Sequence, residues 1–89
     1  MFEWDAGKAR RNLEKHSVSF EEAAGVFDDP RALDGEDLLH SVGEVRRLRL
    51  GKSPAGRVLV VAYTIRESGM RVISARLASR KERKRYAEA

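Results

Sequence analysis

A chain of 89 residues has room for one domain of the usual size, roughly 50 to 250 residues, and none for a separate cofactor domain. The absence of cysteine excludes disulfides, thiolate zinc sites and a cysteine nucleophile, and no run of about 18 apolar residues is present to span a membrane. With 42% hydrophobic residues the chain is apolar enough to fold, and its 36% charged residues carry a net charge of +4.

The start, Met1-Phe2-Glu3-Trp4-Asp5, lacks the basic-then-apolar build of a secretory signal, so a cytoplasmic location is expected. Asp5 is a good N-cap for a helix over Ala6–His16, with Ala6, Ala9 and Leu13 on one face. Ser19 and Glu22 form a capping box for a second helix, whose stripe is Phe20, Ala23, Ala24 and Phe27. Asp28-Asp29-Pro30 ends it, because the residue before proline is pushed out of the helical region. Arg31–Asp34 reads as a short edge strand and Gly35–Gly43 as a hairpin loop. Val45–Leu50 alternates, with Arg46, Leu48 and Leu50 on one face and Arg47 and Arg49 on the other. Val58–Ile65 is almost unbroken apolar sequence rich in β-branched residues, as expected of a central strand buried on both faces. Glu67-Ser68-Gly69 turns the chain into a strand over Met70–Leu77. Ser79 with Glu82 then offers a second capping box for a last helix, Arg80–Glu88.

The expected fold class is therefore α+β. Two N-terminal helices, a four-stranded antiparallel sheet and a C-terminal helix follow in the order α-α-β-β-β-β-α, as one domain over residues 1–89. The expected core is Trp4, Leu13, Phe20, Phe27, Leu48, Leu50, Val60, Ala62 and Ile73.

Charge is unevenly placed. Residues 1–45 hold five Lys/Arg and eleven Asp/Glu, whereas residues 46–89 hold thirteen Lys/Arg and three Asp/Glu. Ten of the thirteen late cations are arginine, which suits two-pronged phosphate contacts, so a nucleic-acid partner is expected. No glycine-rich phosphate loop, metal motif or G-x-S-x-G nucleophile is present. His16 reads as a cation at a helix C-terminus, and His40, near Glu36, Asp37 and Glu44, as part of a solvated loop rather than a metal site. Arg46 and Arg71 interrupt apolar alternation, so each either pairs with an acid such as Glu44 or Glu67 or helps clamp a phosphate. Arg66 and Arg76 lie near strand ends, where binding groups concentrate. Arg80 and Lys81 occupy the first turn of the last helix, where the macrodipole disfavours cations unless an anion binds there.

Several segments together resemble the BrnT toxin family of bacterial type II toxin–antitoxin systems. They are Phe2-Glu3-Trp4-Asp5, Lys15-His16, Val18-Ser19-Phe20-Glu21-Glu22-Ala23, Phe27-Asp28-Asp29-Pro30, Tyr63-Thr64 with Arg66, and Ile73-Ser74-Ala75-Arg76. The resemblance covers nearly the whole chain. It implies a RelE-like ribonuclease fold, a ribosome-independent or loosely specific attack on RNA, and neutralisation by a cognate antitoxin. It also implies that any DNA contact is indirect, made by the antitoxin in a complex that represses its own operon. Two departures stand out. Arg47 and Arg49 occupy positions usually apolar in such sequences, and Leu77 one that is commonly basic.

The leading functional expectation is an endoribonuclease that needs neither metal nor cofactor, because RNA supplies its own nucleophile in the 2′-OH. Arg46, Arg66 and Arg76 are the candidates to stabilise the transition state. His40 or Glu44 is the candidate general base, the latter only if burial raises its pKa. Lys52, Arg71, Arg80, Lys81 and Arg83 are the candidate RNA-backbone contacts. The alternative is a non-catalytic nucleic-acid-binding module; in either case no membrane partner is expected.

Overall fold

The N-terminal residues Phe2–Glu3 form a short strand, β1, in a computed structural model that describes residues 1–89. Asp5 then caps α1, Ala6–His16, its carboxylate accepting the Lys8 backbone N–H at 2.9 Å. Ser19 accepts the Glu22 N–H at 3.0 Å to start α2, Phe20–Gly25, which tightens into one 3₁₀ turn over Val26–Asp28 before Pro30. The Glu22 carboxylate does not complete that capping box; it goes to Arg57 and Ser53 in the turn between two later strands. Four strands follow: β2 (Leu33–Glu36), β3 (Arg47–Lys52), β4 (Val58–Arg66) and β5 (Gly69–Leu77). The last helix, α3, runs Arg80–Glu88, and there Ser79 and Glu82 do make both bonds of the expected capping box. No helix is long and apolar enough to cross a membrane.

Strands β2 to β5 form the antiparallel meander that the short connections require, with β4 in the middle of the sheet order β1-β5-β4-β3-β2. The sheet is nevertheless mixed and five-stranded, not four-stranded and antiparallel. β1 pairs parallel with β5, Phe2 opposite Met70 and Glu3 opposite Arg71, so a strand precedes the two helices. Two residues are too few to show a period. The long excursion through α1, α2 and three strands is what allows this parallel pair.

Helices α1 and α2 cover one face of the sheet. Val18, Phe20, Ala23 and Val26 pack there against Leu59, Val61, Val72 and Ala75, all essentially inaccessible. Burying a side chain such as Phe20 is worth about 1.5–3 kcal/mol. Trp4 meets Phe20 edge-on at 5.9 Å, and Phe27 stacks between Phe2 at 5.1 Å and Tyr63 at 4.8 Å. The expected core needs correction. Leu13 is 51% exposed, and α1 presents Asn12 to the sheet instead. Leu48, Leu50, Val60 and Ala62 share the opposite face, where Val60 and Ala62 are buried as expected, Leu50 is half-buried and Leu48 stays exposed; Ile73 sits beside a register shift in β4–β5 and is only half-buried.

The two unusual arginines do not disrupt β3. Arg47 and Arg49 point to the helix-covered face at the sheet's edge and both pair with Asp34, at 2.7 and 3.2 Å. Tyr63 donates its hydroxyl to the same carboxylate, and the Arg49 guanidinium lies 5.1 Å from the centre of the Phe27 ring. One acid and one aromatic face thus satisfy charges that would otherwise be costly there.

Candidate active site

The face that α1 and α2 leave open carries Leu48 and Leu50 of β3, Val60, Ala62 and Thr64 of β4, and Ser74 and Arg76 of β5. The connection from β2 to β3 folds over one side of this face. Its base is pinned by the Asp37 N–H donating to the Arg46 carbonyl at 2.7 Å and the Arg46 N–H donating to Ser41 Oγ at 3.0 Å. Between this loop, the sheet and the end of α1 lies a cleft of about 390 Å³, floored by Leu48, Val60 and Ala62. Its polar lining is His16, Asp37, His40, Arg46, Ser74 and Arg76.

His40 stands 63% exposed on the rim, while the Asp37 side chain beside it is only 13% exposed. His40 Nδ1 and Asp37 Oδ2 are 2.8 Å apart. An ionised carboxylate only accepts, so Nδ1 is the donor here, and in the neutral imidazole Nε2 is the acceptor. Arg76 Nη1 and Nη2 both donate to Glu82, at 2.7 and 3.0 Å, which joins the cleft to the first turn of α3. Of the arginines on or beside the sheet, Arg46 alone has no carboxylate partner.

The remaining candidates fall into two other places. At the hairpin end of the sheet Arg66 donates to Glu44 at 3.0 Å, and Arg71 lies 3.9 Å from Glu3. Arg66 holds the Glu44 carboxyl below its ordinary range, aided by Arg46 and Arg71, so Glu44 lacks the raised pKa that a carboxylate base needs. Lys52 and Arg83 line a larger groove, about 660 Å³, on the far side of α3. There Asp29 accepts the Lys52 N–H, the Arg31 N–H and the Tyr86 hydroxyl, and so ties three elements together. Arg80 and Lys81 point outward on α3, and the Ser79 N–H at that helix start is donated to Glu82 rather than left for a phosphate. The structure therefore gathers His40, Arg46 and Arg76, sets Glu44, Arg66 and Arg71 at the hairpin end, and separates the rest.

Two cleft residues, Asp37 and His16, have no spacing that marks them in the sequence. Glu82, which reaches Arg76 from α3, is visible there only as a helix cap. Glu82 has a measurable consequence. Its hydrogen bonds from Arg76 hold its carboxyl down to about 2, against an ordinary 4.5. A depressed folded-state pKa stabilises above the unfolded value and is lost as pH falls through the folded one. The tether of α3 to Arg76 is therefore expected to be complete above pH 4.5 and to fail as pH approaches about 2. Amide exchange of α3 should accelerate across that window, and E82Q should exchange fast at every pH.

Residues 4–82 match the family described as "Ribonuclease toxin, BrnT, of type II toxin-antitoxin system". Among solved structures, the fold is similar to the 1.1 Å crystal structure of the Brucella abortus ribonuclease toxin BrnT, with a TM-score of 0.68. The similarity covers 90% of this chain and 99% of that one at 23% identity, a level that speaks for the fold. None of the curated proteins matches the sequence.

Proposed function

Because the chain belongs to the BrnT family of ribonuclease toxins of type II toxin–antitoxin systems, we propose that it cleaves RNA in the open-face cleft by attack of the substrate's own 2′-OH. The observation that carries this reading is the convergence of Arg46, Arg76 and the Asp37-held His40 on one cleft. The 2′-oxygen attacks phosphorus, His40 Nε2 takes its proton, and the leaving 5′-oxygen departs. Arg46 and Arg76 neutralise the extra negative charge on the phosphorane, the kind of preorganised electrostatic help that is usually the largest catalytic contribution. A phosphate approaching Arg76 exchanges with the Glu82 carboxylate, which keeps the Ser79 N–H as its partner. Arg66 and Arg71 contact the RNA backbone farther along the sheet. No metal is required by this route, and no three His, Asp or Glu side chains are grouped as metal ligands.

A cognate antitoxin neutralises the protein by covering the cleft and α3, a helix with no buried residue and five cations among Arg80–Arg85. Any DNA contact is made through that antitoxin. Incubating purified protein with end-labelled RNA tests the chemistry. The expected ends are a 2′,3′-cyclic phosphate and a 5′-hydroxyl, unchanged by chelator. A 3′-hydroxyl with a 5′-phosphate, or loss of cleavage in chelator, would mean metal-assisted hydrolysis instead. Binding without cleavage would make the protein a nucleic-acid-binding module.

A further inference from the structure

We infer that His16 is a second proton-transfer residue of the cleft, the general acid that protonates the leaving 5′-oxygen of RNA. The inference rests on the ribonuclease reading above.

Its ground is the way the sheet's edge is finished. β1 pairs with β5 only at Met70 and Arg71, so from Ser74 to Arg76 strand β5 has no neighbour on that side. Asn12 of α1 takes the vacant place. Its side-chain amide donates to the Ala75 carbonyl at 2.8 Å and accepts the Ala75 N–H at 3.1 Å, as an adjacent strand would. That clamp fixes the azimuth of α1. A residue four positions on lies above the same face. His16, the last residue of the helix, is therefore delivered to the β5 edge and lines the cleft with Ser74 and Arg76.

Three features separate His16 from a plain helix-end cation. It takes part in none of the chain's ion pairs. It is half-buried rather than fully solvated, and it shares the cleft with the only other histidine in the chain. The two occupy different sides of the cleft, one on α1 and one on the loop over the sheet. His16 stands in the last turn of α1, at the helix's negative pole, while Asp37 holds His40 by Nδ1 and leaves Nε2 facing outward as the acceptor. The other charged groups facing them are Asp37, Arg46 and Arg76.

The 2′-O to phosphorus bond forms as His40 Nε2 takes the 2′-hydroxyl proton. The phosphorus to 5′-O bond breaks as His16 gives up its proton to the departing oxygen. The histidines end with their protonation exchanged, and water restores both.

A leaving group that needs no proton isolates this role. H16A and H16Q should cleave ordinary RNA about 100- to 10,000-fold more slowly than the parent, the usual range for proton-transfer catalysis. On RNA with sulfur replacing the scissile 5′-oxygen, both variants should return to within about ten-fold of the parent, because a thiolate leaves unaided. H40A should stay slow on both substrates, since the 2′-hydroxyl must still lose its proton. Equal losses on both substrates for H16A and H16Q, or no loss on either, would overturn the assignment of His16 while leaving the ribonuclease reading intact. A parent protein that cleaves neither RNA would instead overturn that reading and the inference with it.

Discussion

R46A is expected to reduce RNA cleavage about 100- to 1,000-fold, equivalent to roughly 2.7–4 kcal/mol of transition-state stabilisation, with no change in melting temperature. The size follows from what the guanidinium does not do. Arg66, Arg71 and Arg76 each rest against a carboxylate, whereas Arg46 makes no ion pair and brings its guanidinium to the cleft untethered. The fold holds Arg46 by its backbone, through Asp37 N–H and Ser41 Oγ, so removing the side chain leaves the loop anchored. R46K should recover only part of the rate, because an ammonium lacks the planar fork that matches two phosphate oxygens. R76A gives a contrasting outcome. It should slow cleavage and also free Glu82, loosening α3 in amide exchange. An R46A protein that cleaves RNA within about three-fold of the parent would remove Arg46 from the proposed mechanism; the donor's worth lies far above that.

Local signals were legible where one short stretch of chain decides the outcome. Asp5, Ser19 and Ser79 mark three helix starts correctly, because an N-cap needs only its own side chain and the N–H groups that follow. The apolar run of β4 announces a strand covered on both faces for the same reason. Choosing the inner face of β3 is different. Arg47/Arg49 and Leu48/Leu50 alternate perfectly, and alternation alone points to the leucines. Only Asp34, thirteen residues before Arg47, and Phe27 make the arginine face acceptable toward the helices. β1 was hidden because a two-residue parallel pairing is set by its partner, not by its own pattern. The site behaves likewise. His40, Arg46 and Arg76 could be nominated by residue type and position, yet Asp37 and His16 join them through loop closure and helix placement, which no spacing encodes. Glu44 could act as a base only if burial raised its pKa, and Arg66, twenty-two residues later, holds it down instead.

The same edge that places His16 gives the largest expected effect on stability. N12A is expected to cost roughly 3–5 kcal/mol, since each lost hydrogen bond is worth about 1 kcal/mol net and each orphaned buried group about 1–3 kcal/mol, with partial relaxation. Asn12 is 7% exposed and serves three backbone groups: the Val18 carbonyl at 3.0 Å, the Ala75 carbonyl at 2.8 Å and the Ala75 N–H at 3.1 Å. Alanine leaves all three without a partner at a sheet edge covered by α1, where water does not readily replace them. For a domain of this length each kcal/mol lowers Tm by about 4–8 °C, so a fall of roughly 15 °C or more is expected by thermal denaturation. N12D makes the test specific. Its carboxylate still accepts the Ala75 N–H but turns a charge with no hydrogen toward two carbonyl oxygens, so it should be no more stable than N12A. A merely space-filling Asn12 would tolerate the isosteric aspartate. A drop below about 4 °C for N12A, or an N12D protein close to the parent, would show that the amide is not finishing the edge of β5.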